Sequence, residues 1–148
     1  MIIRIVILCC ILFSPLVKAE TSLVFGGVSH HFISKDTTNN FHRAFIINHN
    51  NYLVGYVRNS YDQDSFVAAY RIYNENRENY TTDVYFGAVK GYDKCYGKFS
   101  EKENGDSKVL ACGLLVINVT IKTNTYIKPM FSLWGDALVF TGKIDLTK

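Results

Sequence analysis

Two short polar segments carry the residues that could do chemistry in this chain. Residues 26–32 read GGVSHHF and end an apolar run, and residues 56–61 read YVRNSY and enter a polar loop. A serine hydroxyl becomes a nucleophile when an imidazole within hydrogen-bonding reach accepts its proton and a third group orients that imidazole. We therefore expect Ser60 as nucleophile, His31 as base and Asn59 as the orienting group, provided that the fold brings both segments together.

The second segment also has an ordinary structural interpretation. Residues 59–64 read NSYDQD, and Asn, Asp and Ser side chains commonly hydrogen-bond to nearby backbone in loops. A loop that only connects two strands is therefore the alternative to a Ser/His site. His30 and His31 are adjacent, so on a strand they point to opposite faces and do not share a metal ion. We expect neither a metal site nor a cofactor.

Residues 1–19 have the features of a cleaved secretory signal. Arg4 precedes an apolar run over residues 5–13, and the small residue Ala19 stands where cleavage would occur. The run is too short for a membrane-spanning helix, which takes ~20 residues. We expect a signal peptide over residues 1–19 and a single domain over residues 20–148, exported to the outer membrane or the periplasm.

The mature chain carries almost no net charge. Residues 20–148 hold 14 Lys and Arg against 13 Asp and Glu, a balance of +1. No basic cluster offers a footprint for phosphates, so we expect no nucleic-acid partner.

Two of the four cysteines remain after the signal. Cys9 and Cys10 lie in the signal segment, which leaves Cys95 and Cys112 in a compartment that can oxidise thiols. A disulfide between Cys95 and Cys112 would close a loop of about 18 residues and contribute ~3 kcal/mol in the loop-entropy model. We expect this disulfide, with two buried free thiols as the alternative.

The rest of the chain alternates short runs rich in Val, Ile, Tyr and Phe with clusters of Asn, Asp, Ser and Gly, a pattern typical of strands and turns. The pattern predicts strands at 22–33, 40–48, 52–59, 65–73, 83–92, 107–116, 119–127 and 136–144. Breaks are expected around Asn118 and over residues 95–106 and 129–135. No connection is long enough to carry a crossover helix, so the strands should run antiparallel.

Eight such strands suffice to close a small barrel without open edges. Several strands are apolar on both faces, for example residues 107–116. Two apolar faces fit a wall between lipid and an apolar interior, and they also fit a two-layer sandwich. We favour an all-β fold, an antiparallel up-and-down β-barrel of about eight strands, with the membrane and a lipid or acyl chain as partners.

The two polar segments also carry a resemblance to a known family. The chain resembles the lipid A palmitoyltransferases, small eight-stranded outer-membrane barrels with a His at the end of the first strand and a Lys-Asp-Ser-Trp type sequence after the third. His31 matches the family's histidine, and residues 58–61 match the second motif. The resemblance makes residues 65–73 the returning strand, and residues 119–127 with 137–144 the final pair.

Three features depart from the family pattern. Asn59 occupies the family's aspartate position, and an amide carries no negative charge to stabilise an imidazolium. No amphipathic helix precedes the first strand, and the chain ends DLTK where outer-membrane barrels usually end on an aromatic residue.

Three functions follow as hypotheses. The first is acyl transfer or acyl-chain binding at a Ser60/His31 rim site, for which Asn59→Asp would raise the rate. The second is a non-catalytic barrel that binds a lipid tail or an envelope protein. The third is a soluble periplasmic domain with an interaction role.

Overall fold

The computed structural model describes residues 20–33, 39–92, 98–103 and 106–147, with backbone only for 98–103 and 106–110. The expected signal peptide and Cys95 lie outside the described residues. The strands are β1 (Thr21–His31), β2 (Ala44–His49), β3 (Tyr52–Arg58), β4 (Asp64–Asn76), β5 (Tyr80–Lys90), β6 (Lys98–Glu103), β7 (Asp106–Ile121), β8 (Ile127–Trp134) and β9 (Ala137–Asp145). No described residue lies in a helix, so none of this part forms a helix that could cross a membrane.

The strands form one antiparallel sheet that closes on itself. The order is β5-β4-β3-β2-β1-β9-β8-β7-β6, and β5 also pairs with β7 from Tyr80–Ile121 to Val89–Cys112. Eight strands therefore make a closed barrel, while β6 pairs only with the first part of β7. The predicted antiparallel up-and-down barrel is confirmed, and the sandwich alternative is wrong.

The predicted boundaries are wrong in the second half of the chain. Residues 106–121 form the single strand β7 where two strands were expected, and β8 covers all but the last residue of the expected break at 129–135. Asn118 suggested a turn, but its buried side chain lies within β7. Met130 is the first residue of β8 that pairs with β7, and Pro129 immediately precedes it. The missing N–H of Pro129 therefore interrupts no hydrogen bond between β7 and β8. The final pair is therefore β8 with β9.

Side chains alternate between the two faces of the wall. The outer face exposes large apolar groups along every strand whose side chains are described, among them Phe45, Ile47, Val54, Phe66, Tyr70, Phe86, Leu115, Phe131, Leu133, Leu138 and Phe140. The inner face buries an apolar cluster that includes Val24, Ile46, Leu53, Val67, Val89, Leu114, Val116 and Met130. Apolar residues therefore cover both sides of the wall, as the sequence predicted.

The two rims differ in the length of their connections. At the lower rim, strands are joined by residues 50–51, 77–79 and 122–126. At the upper rim, residues 59–63 join β3 to β4, residues 135–136 join β8 to β9, and the chain also passes from β1 to β2 and from β5 to β7. Two of the upper connections, from β1 to β2 and from β5 to β7, are therefore longer than any lower turn, whereas the other two upper connections are short.

A local irregularity in β1 decides which side chains enter the barrel. The register with β9 shifts between Phe25 and Val28, and Gly26 has a φ of 65°. The shift is a β-bulge, which changes the face to which later residues point. Val24 and Ser29 are therefore both buried although an odd number of positions separates them. His31 accordingly has a buried side chain, while His30 is exposed.

The contact of β4 with β5 yields a test of the fold. A Cβ at Gly87 would overlap the carbonyl oxygen of Ala68 and the Cα of Ala69. We expect Gly87→Ala to lower the free energy of unfolding by ~1–3 kcal/mol, because the strands must move apart. Ala88→Val is the control, because it adds bulk at the next position on the outer face. It should lower the free energy of unfolding by less than Gly87→Ala does. Urea unfolding of both variants checks this, and equal losses would contradict the close approach.

Candidate functional site

A cavity of about 900 Å³ occupies the upper half of the barrel. Its lower walls are mostly apolar and include Val24, Ile46, Leu53, Val89, Leu114 and Met130, with Asn118, Ser132 and Thr141 as polar exceptions. Polar and aromatic side chains stand towards the upper rim, namely His31, His42, Ser60, Tyr61, Trp134 and Asp136. We call these six residues the mouth of the upper cavity. A cavity of this size falls within the roughly 300–1,000 Å³ of small-molecule sites, which are also mostly apolar with few polar groups.

The lower half of the interior is polar. A smaller cavity of about 340 Å³ is lined there by side chains that include Arg71, Asp83, Lys128 and Lys143. Arg71 forms an ion pair with Asp83 at 3.2 Å, and Asn74 donates to the same carboxylate at 2.8 Å. An apolar ligand would therefore be confined to the upper cavity, because the groups below it favour water or ions.

His31 faces inward at the end of β1, next to a carboxylate from the β8–β9 turn. Its Nδ1 lies 3.5 Å from Oδ1 of Asp136, and its Nε2 lies 3.3 Å from the hydroxyl of Ser29. The Nδ1 atom is buried and makes no hydrogen bond at this distance. A hydrogen bond to the Asp136 carboxylate would require both a shorter separation and a proton on Nδ1.

His42 makes the shorter contact with Ser29. Its Nε2 lies 2.7 Å from Ser29 Oγ, and its Nδ1 lies 2.8 Å from the carbonyl oxygen of Arg58. A carbonyl only accepts hydrogen bonds, so Nδ1 carries the proton and Nε2 of the neutral ring accepts from Ser29. Burial, with a smaller effect from His31, lowers the pKa of His42 below its ordinary value and so favours this neutral ring.

Asn59 holds the β3–β4 loop. It is fully buried, and its amide nitrogen donates to Ser65 Oγ at 2.9 Å and to the Gly91 carbonyl at 2.8 Å. Its side-chain oxygen accepts from the backbone N–H groups of Tyr61 and Gln63 at 2.9 and 3.0 Å. These four bonds use the full capacity of an amide. The group beside His31 is Asp136 instead, so the contacts of Asn59 do not support its expected orienting role.

Ser60 and His31 line the same cavity, as the sequence required. Ser60 is buried, with 6% of its surface exposed, and its carbonyl accepts from the Asn39 N–H at 3.0 Å. The fold thus brings both polar segments to the upper rim. At this rim, the Ser29 hydroxyl also lies within hydrogen-bonding distance of imidazole nitrogens of His42 and His31.

Sequence reasoning missed Ser29, His42 and Asp136. Ser29 stands two positions before His31, and residues two apart on a strand share a face, so this spacing could have identified it. No comparable signal marks His42 or Asp136, because their position depends on how a loop and a turn pack against β1.

Outside the mouth, Arg58 closes the loop from β3 to β4 on the surface. It forms ion pairs with Asp62 at 3.0 Å and Asp64 at 2.8 Å. Hydrogen bonding to Arg58 lowers the pKa of Asp62. Asp62 also has a φ of 60°, so the loop makes a tight turn at this residue. These carboxylates therefore have a structural role at the rim.

The expectations about a metal site and about a disulfide concern residues outside the mouth. Within the described ranges, no cluster of three or more His, Cys, Asp or Glu side chains could hold a metal ion. Cys112 is buried, with its Sγ atom 3.6 Å from the Tyr92 carbonyl oxygen. Its expected partner Cys95 lies outside the described residues, so the disulfide stays a prediction.

Comparison with protein-family models, with curated proteins and with solved structures finds no match to this chain. The class that its own coordinates define is a closed antiparallel β-barrel with an apolar internal cavity and a polar mouth.

The bonds of Asn59 predict a loss of stability for the same substitution that was expected to raise the acyl-transfer rate. Asn59→Asp would remove both N–H donors and place a carboxylate against the Gly91 carbonyl. We expect a loss of roughly 2–4 kcal/mol in the free energy of unfolding, because buried acceptors would face each other. Asn124→Asp, at an exposed position between β7 and β8, is the control. An unchanged urea midpoint for Asn59→Asp would contradict the structural role.

Proposed function

We propose that this chain is an exported β-barrel of the bacterial envelope, encoded by a bacterium or by a phage, that lies in the outer membrane and binds a lipid acyl chain in its upper cavity. The observation that carries the proposal is the polarity of the wall. Large apolar side chains cover the outside, while the interior is apolar only in its upper half.

The outer face supports insertion in a bilayer. Phe86 is 60% exposed, Phe66 is 62% exposed and Leu115 is 51% exposed, all in the middle of the barrel wall or towards its upper end. A continuous apolar surface on a soluble protein would favour aggregation, whereas a bilayer would bury it. The short lower turns and the two long upper connections also match outer-membrane barrels, whose short turns face the periplasm.

The upper cavity supports an acyl chain as the ligand. Its mostly apolar lower walls suit a hydrocarbon tail, and the polar mouth suits the ester or headgroup at the end of that tail. The hydrogen-bonded ion pair of Arg71 and Asp83 below would stop the tail from going deeper. This arrangement selects a chain by its length as well as by its polarity.

The chemistry that we propose is acyl transfer at the mouth, similar to that of the lipid A palmitoyltransferases. An imidazole, a carboxylate and serine hydroxyls lie at one rim, where His31, Asp136 and Ser60 line the cavity. A phospholipid ester would supply the acyl group. The cleaved signal at residues 1–19 and the Cys95–Cys112 disulfide belong to the same proposal, since both fit an envelope protein.

A non-catalytic barrel with a structural or interaction role is the second candidate. The full use of Asn59 in loop contacts favours it, because this motif residue serves the fold and not His31. An acyl chain bound without turnover would support the second candidate over the first.

Paired substitutions on β3 test the acyl-chain site. Leu53 is buried in the cavity wall, and its neighbour Val54 is 48% exposed on the outer face. We expect the parent protein, extracted from membranes, to retain one acyl chain in native mass spectrometry. Leu53→Trp should displace it or shift it to shorter chains, because the indole fills the cavity, whereas Val54→Trp should not. A parent without any bound chain, or the same result for both variants, would refute acyl-chain binding.

A second pair on β5 tests insertion in the bilayer. Phe86 faces outward in the middle of β5, and Tyr80 is its first residue at the lower rim. Phe86→Arg should reduce the free energy of folding into lipid vesicles by ~2–4 kcal/mol, and Tyr80→Arg by only ~0–1 kcal/mol, since the penalty depends on depth. If both variants change the free energy of folding by the same small amount and the parent protein is soluble without detergent, insertion is refuted and the barrel belongs in the periplasm.

A further inference from the structure

We infer that Ser29 is the nucleophile of this site and that His42 is its general base. The inference rests on the proposed function and names the residues that would carry it. It differs from the sequence-based expectation, in which Ser60 and His31 have these roles.

The hydrogen bonds around Ser29 have the order that an activated serine requires. Ser29 Oγ donates to Nε2 of His42 at 2.7 Å, and Nδ1 of His42 donates to the Arg58 carbonyl at 2.8 Å. The carbonyl thus fixes the tautomer and would stabilise the imidazolium that forms when the ring takes the proton. In serine hydrolases a carboxylate has this position.

His31 approaches the same hydroxyl from a second direction. Its Nε2 lies 3.3 Å from Ser29 Oγ, and Asp136 stands 3.5 Å from its other nitrogen. Because the Ser29 proton is donated to His42, His31 can only donate to the serine oxygen, from its Nε2, and only an imidazolium could at the same time donate from Nδ1 to Asp136. We assign His31 and Asp136 a positioning role. Both imidazoles line the upper cavity, and the buried Ser29 hydroxyl lies against them, so an ester at the mouth would have to pass between the two rings to reach it.

The reaction balances with these groups and water. Ser29 Oγ attacks the ester carbonyl carbon while its proton moves to Nε2 of His42. The ester C–O bond breaks, the leaving alkoxide takes the proton from His42, and an acyl-Ser29 ester remains. Water, or a hydroxyl group of an acceptor lipid, then attacks this ester, gives its proton to His42, and Ser29 Oγ recovers that proton.

The same contacts would also suit a purely structural cluster. The His42 N–H donates to the Gly27 carbonyl at 2.8 Å, and the Ser29 N–H donates to the Asn40 carbonyl at 2.9 Å. These bonds hold the chain before β2 against β1. A test must therefore measure the reactivity of the hydroxyl and not only the stability of the barrel.

A fluorophosphonate with a hexadecyl chain tests the inference on the full chain, purified in detergent micelles. This reagent forms an O–P bond with an activated serine and releases fluoride. We expect peptide mapping by mass spectrometry to find one adduct, on Ser29. Ser29→Ala should abolish labelling, and His42→Gln should slow it by a factor of about 100 or more, the usual contribution of a general base.

Two matched controls separate reactivity from folding. Ser22 is a buried serine on the inner face of β1 at the opposite rim, and His49 is an exposed histidine at the lower end of β2. Ser22→Ala and His49→Gln should label at the parent rate. Circular dichroism confirms that each variant folds, and the adduct site in the parent protein decides the question even if Ser29→Ala does not fold.

The outcomes separate this inference from the proposed function. An adduct on Ser60, or a rate unaffected by His42→Gln, would overturn the assignment of Ser29 and His42 while acyl transfer stands. No adduct on a protein that retains its acyl chain would overturn the assignment and leave a binding barrel. No adduct and no bound chain would overturn both.

Discussion

The pairing of β5 with β7 is the constraint on which the rest of the structure depends. It runs from Tyr80–Ile121 to Val89–Cys112 and turns an open sheet into a cylinder. Closure pairs the edges that an open sheet would leave exposed and gives every strand one inner and one outer face. The cavity, the apolar exterior and the two distinct rims all follow from it.

Closure also explains how distant residues share one mouth. Ser29 lies near the upper end of β1, His42 precedes β2, and Asp136 lies in the turn before β9. β1 pairs with both β2 and β9, so three segments that are far apart in sequence meet around one strand. The bulge at Gly26 then turns Ser29 and His31 inward. Strict alternation from Val24 would instead have pointed His30 into the barrel.

The sequence predicted the features that depend on local pattern. Alternation, turn residues and the absence of long crossovers indicated an antiparallel barrel, and the apolar character of both faces is observed. The errors arose where tertiary position overrides local preference. Asn118 is a good turn residue, yet in β7 its side chain faces the partly polar interior. Ser29 was present in the first motif, but its partners could not be deduced, because His42 and Asp136 reach it only through packing.

Nuclear Overhauser effects between backbone protons of β5 and β7 test the central claim most directly. With the protein in detergent micelles, we expect cross-strand contacts at the partner pairs Val84–Ile117 and Phe86–Leu115. We also expect slow hydrogen exchange of the amides along both strands. Absence of these contacts, with rapid exchange on the facing edges of β5 and β7, would show an open sheet. An open sheet would have neither an enclosed cavity nor a common mouth.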